Sequence, residues 1–413
     1  NIDYPEKELV DVNLDSMGKS IRVKGVVTKV IDTDKTTILE VSDEERSIPI
    51  MLFKYDTPKI NKGMFVEVVG EVKEYKGRAE LIADEVRIIK GNIEIKRNII
   101  SETKQRIGGR IDENMSLGEF VKFLEGIHGF MASHVVQASR ILYEMMVDEG
   151  TVKFLAFTGN LVATGLRGVL AQMVREGFVD VIITTCGAID HDVARALGGK
   201  YYRGIFDFDD TLLMKKKIHR LGNVFIPFKS YGKVIEDFVK ELVPELSSIK
   251  SEWSVHELLY HVGVKLNDEN SILKAAAERK VPVFAPGIVD GAFGTQLFIQ
   301  SQFYKFQINL FKDLKELADI VFKAKKSGAL ILGGGISKHH TIWWNQFKNG
   351  LDYAIYVTTA VEYDGSLSGA RPREAISWGK LKPKAKHVVV YGDVTILLPI
   401  IFAGAKYYIK HGV

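Results

Sequence analysis

The sequence has almost no cysteine, because Cys186 is the only one among its 413 residues. A single cysteine excludes a disulfide within the chain, so hydrophobic cores must stabilise the fold, as is usual in the cytoplasm. The first residues, NIDYPEKELV, lack the basic and apolar regions of a signal peptide. The longest apolar run, residues 394–405, is shorter than the ~20 residues of a membrane-spanning helix. We therefore expect a cytoplasmic protein.

The chain also lacks a large excess of charge of either sign. Its 56 Lys and Arg residues and 52 Asp and Glu residues leave a net charge of +4, too small to indicate a nucleic-acid or membrane partner by itself. The 46% hydrophobic and 26% charged residues are typical of a globular protein. Because 413 residues exceed the usual size of one hydrophobic core, we expect two domains.

Closely spaced strands are predicted between residues 19 and 90. They are residues 21–30, 36–41, 47–53, 65–75 and 79–89, separated by polar turns. Gly70 lies inside the long fourth strand, where a small barrel must bend sharply. The stretches KGVVTKV and GMFVEVVGEV resemble nucleic-acid-binding members of the OB-fold. We expect a small all-β, OB-fold-like barrel.

The role of this barrel stays open at the sequence level. Residues 1–100 contain 17 Lys and Arg against 19 Asp and Glu, a net charge of −2. Barrels that bind nucleic-acid strands normally present a basic groove with aromatic platforms. Nucleic-acid binding, docking and oligomerisation are therefore all retained as alternatives.

A polar connector over residues 90–115 separates the barrel from a second domain. We place the boundary near residue 105, which gives domains 1–104 and 105–413. Helices are predicted over 117–125, 132–147, 161–176 and up to Leu197, and strands over 154–157, 179–184, 224–226, 281–284, 329–332, 353–357 and 387–391. Apolar strands that alternate with helices indicate an α/β fold, a Rossmann-like doubly wound parallel sheet.

Small and polar residues follow successive strands of this predicted sheet, where ligands of such folds bind. They include Asn160, Thr185, Gly187, Asp290, Gly334, Thr359 and Asp393. Each glycine alone is best explained as an ordinary turn, and no GxGxxG pattern is present, so a dinucleotide is one option among several. Their recurrence indicates one long ligand that crosses the sheet edge.

The segment DGSLSGARPREAISWGK, residues 364–380, combines an acid, an indole and a lysine. Pro372 suits the first turn of a short helix, and Gly379 suits a left-handed cap at its end. Glu374 and Trp378 then lie four residues apart on one face, a pair that suits an organic cation. Lys380 follows directly after the cap.

This segment resembles the active-site segment of the deoxyhypusine synthase family. Residues 333–344, GGGISKHHTIWW, resemble that family's Gly-rich turn followed by Lys-His-His, in the form associated with its archaeal branch. Further similar blocks are TGNLVATG (158–165), TTCGAIDHD (184–192), RLGNVFIPF (220–228) and VDGAFG (289–294). They follow the family's order over about the last three quarters of the chain.

The resemblance implies a function and a set of site residues. The family uses NAD to transfer the aminobutyl group of spermidine, through an imine on an enzyme lysine, to one lysine of a translation initiation factor. It implies Lys380 as nucleophile and His339 as base. The amine of Lys380 must be neutral to react, and a bound polyamine and Lys338 could supply the positive charge that favours this form. Donor-binding residues would be Glu374, Trp378, Tyr356, Trp343 and Thr295; NAD-binding residues would be Asn160, Thr185, Gly187, Asp190, Asp290, Gly334, Thr359, Asp364 and Asp393. A homotetramer is implied, and no metal site is expected.

Several positions depart from the family's eukaryotic pattern. That pattern has acidic residues at the positions of Thr295 and Leu367 in this chain, an asparagine at the position of Trp343 and a glutamate at the position of His191. Fewer carboxylates should bind a trication less firmly. The donor could therefore be a shorter or less charged amine, or one held by Trp343 and Trp344 through cation–π contacts.

Two alternative functions remain open from the sequence. A small amine could accept the aminobutyl group, as in homospermidine synthases, or the barrel could make the chain a nucleic-acid-binding adaptor with an inactive enzyme domain. The retained Lys380, His339 and Glu374 argue against inactivity.

Overall fold

The computed structural model describes residues 4–43, 46–53, 59–89 and 107–412. The chain divides into two compact units, Asn1–Arg106 and Ile107–Val413. The part of the predicted connector between residues 90 and 106 lies outside the described residues.

Five strands of the first unit form a closed barrel within the described ranges, which confirms the predicted OB-fold-like domain. The strands are β1 (Ser20–Asp32), β2 (Thr36–Ser42), β3 (Ser47–Phe53), β4 (Phe65–Tyr75) and β5 (Arg78–Ile88), after short 3₁₀ helices at Leu9–Asp11 and Leu14–Ser16. Their order around the barrel is β1-β2-β3-β5-β4, with only the β3–β5 pair parallel. Burial alternates along β1, so that Ile21, Val23 and Val27 enter the core.

Gly70 marks a bulge in β4, as its place in the sequence suggested. The register between β4 and β5 shifts between Val69 and Gly70. A Cβ at Gly70 would lie 2.1 Å from the carbonyl oxygen of Ile82. Only glycine lets the two strands approach this closely, which allows the barrel wall to bend.

The second unit alternates helices and strands, as predicted. Its helices are α1 (Leu117–Ile127), α2 (Met131–Val147), α3 (Asn160–Ala163), α4 (Arg167–Arg175), α5 (Cys186–Ala196), α6 (Asp210–Lys215), α7 (Gly232–Ile249), α8 (Val255–Lys265), α9 (Ile272–Arg279), α10 (Ala292–Ser301), α11 (Leu310–Lys323), α12 (Gly335–Asn345), α13 (Pro372–Ser377) and α14 (Val394–His411). Its strands are β6 (Thr151–Phe157), β7 (Val181–Ile183), β8 (Tyr202–Arg203), β9 (Ile218–Leu221), β10 (Val224–Pro227), β11 (Glu252–Trp253), β12 (Val283–Phe284), β13 (Gln307–Ile308), β14 (Lys326–Leu332), β15 (Leu351–Thr358) and β16 (Leu381–Tyr391). Short 3₁₀ helices lie at Phe228–Ser230, Gln346–Lys348 and Glu362–Asp364.

Six of these strands form the main sheet of the described unit, in the order β12-β7-β6-β14-β15-β16. All neighbouring pairs are parallel, so the carboxyl ends of the strands share one edge. Numbered along the chain, the order is 3-2-1-4-5-6, that of a doubly wound Rossmann-like sheet, which confirms the predicted fold class. The order reverses between β6 and β14, and the reversal leaves a crevice at that edge.

Helices cover both faces of this sheet, and alternate residues of each strand contact the helices on opposite faces. Leu155 and Phe157 of β6 join a core with α2, α4, α5 and α14, whereas Phe154 and Ala156 join one with α11, α12 and α13. Tyr356 of β15 lies on the second face. The segments that carry His339 and Glu374 therefore cover the same side of the sheet.

Two sequence predictions of secondary structure are wrong in detail. The helix predicted over 161–176 is broken into α3 and α4, because Arg195 Nη1 donates to the carbonyls of Val162 (3.0 Å) and Thr164 (2.8 Å) in place of helical N–H groups. The strand predicted over 224–226 does not join the main sheet. It forms β10 of a small antiparallel sheet, because the two-residue turn at Gly222 pairs it with β9.

The long apolar run near the end of the sequence forms most of α14. Leu398, Ile401, Phe402 and Ala405 of this helix pack into the core against α2 and neighbouring helices. Within the described ranges, no helix combines the length and the apolarity needed to cross a bilayer.

We predict that Gly70→Ala lowers the free energy of unfolding of the barrel by about 2 kcal/mol, because backbone atoms of β5 must move to admit the new methyl group. Hydrogen–deuterium exchange of the full-length protein should become faster in peptides from β4 and β5. Tryptophan fluorescence should not change, since all four tryptophans lie beyond residue 250. Gly77→Asn, at a left-handed turn with open space around its Cβ position, is the control. Equal exchange in the two variants would contradict this account.

Candidate active site

Lys380 lies where α13 meets the start of β16. Its backbone N–H donates to the carbonyl of Ala375 (2.9 Å), and its carbonyl accepts from the N–H of Leu351 (3.1 Å). Gly379 has φ +68°, the left-handed conformation that its sequence position predicted. The side chain of Lys380 is 92% buried in this setting, as its exposed fraction is 8%. Its position is thus fixed by both a helix end and a strand start.

Two indoles flank the amine of Lys380. Its Nζ lies 5.0 Å from the ring centroid of Trp378 and 5.7 Å from that of Trp343. Both distances are within the range of cation–π attraction. Trp378 caps the end of α13, and Trp343 comes from the last turn of α12. The amine therefore faces aromatic rings from two separate elements.

Trp344 does not take part in this arrangement. Its ring packs against His340 and Phe347 instead. The sequence analysis offered Trp343 and Trp344 as a cation clamp, but neighbouring residues on a helix point about 100° apart. The structure pairs Trp343 with Trp378, which is 35 positions along the sequence.

His339 lies beside the same indole. Its ring stacks on Trp343 with centroids 5.6 Å apart and an interplanar angle of 21°. Burial lowers the pKa of His339 below its ordinary 6.5, and the positive charge of Lys380 lowers this pKa further. The imidazole is therefore neutral near pH 7 and available as a base. The neighbouring His340 is half-buried beside Trp344, and desolvation, together with the charge of His339, lowers its pKa to about 4.

Glu374, Tyr356 and Lys338 form a second group close to the indoles. Glu374 is exposed on α13, and its negative charge acts on both Tyr356 and Lys338. Tyr356 is buried, and its hydroxyl has no hydrogen-bond partner within the described part of the chain. Burial raises the pKa of this hydroxyl, so it stays protonated. Lys338 Nζ lies 4.2 Å from the Tyr356 ring centroid.

The candidate cofactor residues nearest the reversal of strand order are Asn160 and Gly334. Asn160 begins α3 after β6 and accepts a hydrogen bond from Thr158 Oγ1 (2.5 Å). Gly334 precedes α12 after β14, and a Cβ there would lie 1.9 Å from Ser368 Oγ. Neither Gly334 nor Thr185, the residue before α5, provides a side-chain cap for its helix. The N–H groups that begin both helices can therefore bind an anion such as a pyrophosphate.

Gly187 and Asp190 lie on α5, on the β7 side of the crevice. The backbone of Gly187 touches Gly159, where a Cβ would come within 2.7 Å. Asp190 is buried, and burial raises the pKa of its carboxyl. Its oxygens accept hydrogen bonds from the backbone N–H groups of Ala292 (3.0 Å) and Phe293 (2.7 Å). The carboxylate thus caps α10 within the chain, a contact that the sequence did not reveal.

The remaining candidates lie at the same edge of the sheet or next to it. Asp290 and Thr295 flank the start of α10, where the Thr295 hydroxyl donates to the carbonyl of Gly291 (2.8 Å). Thr359 follows β15 and is exposed. Asp364 accepts from the N–H of Ser366 (2.7 Å), and Asp393 caps α14 by accepting from the N–H of Thr395 (2.8 Å). The structure therefore brings the predicted residues to one edge.

Two side-chain contacts in this region were missed from the sequence. Tyr231 donates its hydroxyl proton to Asp190 (2.8 Å), and His191 Nδ1 lies 2.7 Å from the Tyr201 hydroxyl. Burial, together with the charge of Arg195, lowers the pKa of His191 to about 4. No spacing pattern links residues 10 or 41 positions apart, so only the folded chain reveals these pairs.

The family model described as deoxyhypusine synthase matches residues 119–405 of this chain. The chain belongs to the deoxyhypusine synthase family. Members of this family are aminobutyltransferases, and membership makes the chain an enzyme of that kind. A second model, described as an OB-fold nucleic acid binding domain, matches residues 21–89.

Two relatives named probable deoxyhypusine synthase are similar to this chain in sequence, and one solved structure is similar to it in fold. A protein of Sulfurisphaera tokodaii named probable deoxyhypusine synthase is 59% identical over 293 residues, 71% of this chain and 94% of its own length. A protein of Ignicoccus hospitalis with the same name is 57% identical over 300 residues, 71% of this chain and 93% of its own. The crystal structure of a putative deoxyhypusine synthase from Entamoeba histolytica has the same fold, with a TM-score of 0.50 and 20% identity over 72% of this chain and 96% of that one. The names of these proteins do not favour either alternative function, transfer of the aminobutyl group to a small amine or a nucleic-acid-binding adaptor with an inactive enzyme domain.

We predict that His339 titrates below pH 6.5 and that Lys380→Met raises its pKa, because the repulsion between the two positive charges disappears. Nuclear magnetic resonance of the protein with isotope-labelled histidine measures the pKa of His339 in wild type and in Lys380→Met. Lys384→Met is the matched control, since Lys384 is exposed in β16 and should leave the titration of His339 in place. A midpoint that does not respond to Lys380→Met would show that the two side chains do not interact.

Proposed function

We propose that this chain is a deoxyhypusine synthase that depends on NAD and transfers the aminobutyl group of spermidine, or of a closely related amine, to one lysine of a translation initiation factor. The observation that carries the proposal is the placement of Lys380. Its buried amine lies between two indoles, next to a histidine that is neutral near pH 7. This combination suits an amine that must attack a cationic substrate and then release it.

Support for NAD comes from the edge of the parallel sheet. Two helices, α5 and α12, begin there without side-chain caps, after Thr185 and Gly334. Their free N–H groups suit the pyrophosphate of a dinucleotide. The residues proposed to line the rest of the cofactor site are Asn160, Gly187, Asp290, Thr359, Asp364 and Asp393, with Asp190 holding α10 in place beside them. When bound, NAD would accept a hydride from the donor amine and later return it.

Lys380 carries the covalent steps of the proposal. Its neutral amine adds to the carbon of the oxidised donor, the bond from this carbon to the leaving nitrogen breaks, and diaminopropane departs with the proton that Lys380 loses. The butyl fragment is then bound to Lys380 as an imine. The acceptor lysine adds to the same carbon and releases Lys380. The side chain returns to its starting state, ready for the next donor.

His339 is proposed as the group that moves protons at the reacting amine. Its neutral imidazole can take the proton that the donor nitrogen loses and return one to the leaving amine. Stacking on Trp343 fixes the orientation of the ring. His340 is a poor alternative, because its ring packs on Trp344, which lies away from Lys380.

The donor is proposed to be held by ring faces as well as by a carboxylate. Glu374 offers one negative charge, and Trp343 and Trp378 offer aromatic faces, whereas Tyr356 is buried and its ring already faces the Lys338 ammonium. Thr295 and Leu367 add no charge to the site. Each ring attracts one ammonium group of the donor, so an amine with fewer charges than spermidine is still attracted to the site.

A homo-oligomer acting in the cytoplasm completes the proposal. Active sites in this family lie between subunits, and this chain exposes large apolar side chains next to its own site, among them Trp378 and Tyr363. Exposed apolar patches of this kind mark protein interfaces. The protein acceptor must also reach Lys380, so part of the exposed surface around Trp378 would serve the translation factor.

The proposed function predicts a covalent adduct on Lys380. Incubation with NAD and spermidine, reduction with borohydride and peptide mass spectrometry should place an aminobutyl group on this residue. Lys380→Arg should abolish the adduct, because a guanidinium stays charged and cannot form the imine. Lys384→Arg, four residues further on, should form it at the wild-type level. An adduct that persists in Lys380→Arg would falsify the assignment.

The ring-face proposal predicts a change in donor binding. Trp343→Asn should raise the KM for spermidine by about 2- to 5-fold, the value of one cation–π contact at an exposed ring. Trp343→Phe keeps an aromatic face and should raise it much less. Trp344→Phe is the matched control, since Trp344 packs away from Lys380. Equal KM values for wild type and Trp343→Asn would assign donor binding to the carboxylate alone.

A further inference from the structure

Lys338 is a buried cation that no carboxylate contacts within the described residues. It lies in the second turn of α12, directly before His339, and only 1% of its surface is exposed. A charged side chain is rarely buried to this extent without a close partner, because desolvation costs several kcal/mol. Burial lowers the pKa of Lys338 to about 8, while the charge of Glu374 opposes this change. The ammonium form therefore still predominates near pH 7.

Backbone carbonyls take the place of a carboxylate. Lys338 Nζ donates to the carbonyl oxygen of Leu367 at 2.7 Å and to that of Ala370 at 2.8 Å. The Tyr356 ring centroid lies 4.2 Å from the same nitrogen. An ammonium has three N–H donors, and these three partners account for all of them. The lysine therefore joins β15, α12 and one loop through a single atom.

This loop, residues 365–371, leads into the nucleophile. It connects the 3₁₀ helix Glu362–Asp364 to α13, which carries Glu374. Trp378 caps the end of α13, and Gly379 and Lys380 follow directly after it. Within the loop, the N–H groups of Gly369 and Ala370 donate to the carbonyls of Ser366 and Leu367, both at 3.2 Å. At its two ends, the N–H of Ser366 donates to Asp364 and Arg371 forms an ion pair with Glu362. An anchor from α12 thus has a direct effect on where α13 begins.

Close packing supports the same contact. A Cβ at Gly334, just before α12, would lie 1.9 Å from Ser368 Oγ, and a Cβ at Gly369 would lie 2.0 Å from the carbonyl oxygen of Val361. The loop is therefore pressed against α12 on one side and against its own preceding segment on the other. Without the ammonium, the partly buried carbonyl of Ala370 would lose this donor.

We propose that Lys338 is a positioning residue, which clamps the main chain of loop 365–371 to α12 and so fixes Lys380 relative to His339. The proposal rests on the proposed roles of Lys380 and His339. It differs from the sequence-based hypothesis that Lys338 acts through its charge on the nucleophile. A positioning role changes the rate of the covalent steps, whereas a charge role changes the pH at which Lys380 can react.

The test compares Lys338→Met with Lys348→Met in the full-length protein. Lys348 is a matched control, because it is also partly buried and donates to one backbone carbonyl, that of Ala324 at 3.1 Å, outside the site. Lys338→Met should lower kcat by about 100-fold, as expected for misplaced reacting groups, with a smaller change in the KM for NAD, because Asp364 lies at the edge of the loosened loop. The pH dependence of adduct formation on Lys380 should keep its wild-type midpoint. Lys348→Met should match wild type in all three measurements.

Hydrogen–deuterium exchange gives a readout that needs no activity. Peptides from residues 361–380 should exchange faster in Lys338→Met than in wild type or Lys348→Met, since the loop has lost its anchor. Lys338→Gln, which can donate to one carbonyl, should give intermediate exchange and intermediate kcat, and it serves if the methionine variant does not fold. Wild-type exchange in the loop, or a pH midpoint that moves upward with unchanged maximal rate, would overturn the positioning role. Failure of wild type to form the adduct would instead refute the proposed function, and the exchange result would still stand.

Discussion

The geometry of the site depends on the reversal of strand order between β6 and β14. Helices that follow β6 and β7 cover one face of the sheet, and those that follow β14 and β15 cover the other, so their N-termini separate at this point. The crevice between them has backbone N–H groups on both walls. In the proposed function, a long anionic cofactor binds there while α12 and α13, on one face, hold a cationic substrate beside it.

The second constraint is the way α12 and α13 are held together. His339 and Trp343 come from α12, whereas Trp378 and Lys380 lie at the end of a separate helix, α13. Two contacts connect α12 to the loop before α13: the packing of Ser368 on Gly334 and the hydrogen bonds of the Lys338 ammonium to two loop carbonyls. A small residue is needed at the first contact because a larger one would push Lys380, the proposed nucleophile, away from His339, the proposed base.

The sequence predicted the features that local chemistry decides. The alternation of buried residues in β1, the left-handed Gly379 and the recurrence of small residues after parallel strands each follow from a few neighbouring positions. The sequence could not predict which residues far apart in the chain come into contact. The capping of α10 by Asp190, the pairing of Trp343 with Trp378 rather than Trp344, and the break that Arg195 makes between α3 and α4 all join residues far apart in the chain. The family resemblance assigned roles to residues, but distances and partners came only from the folded chain.

The two lysines of the site share one electrostatic property that decides their chemistry. Within the described residues, neither the Lys338 nor the Lys380 ammonium makes an ion pair; both face aromatic rings, and Lys338 also faces carbonyl dipoles. A nearby carboxylate would favour the charged form of an amine by several-fold more than a ring face does. In the proposed function, leaving carboxylates out, as at Thr295 and Leu367, therefore weakens the hold on a multiply charged donor, and the aromatic faces around Lys380 take a larger share in binding it.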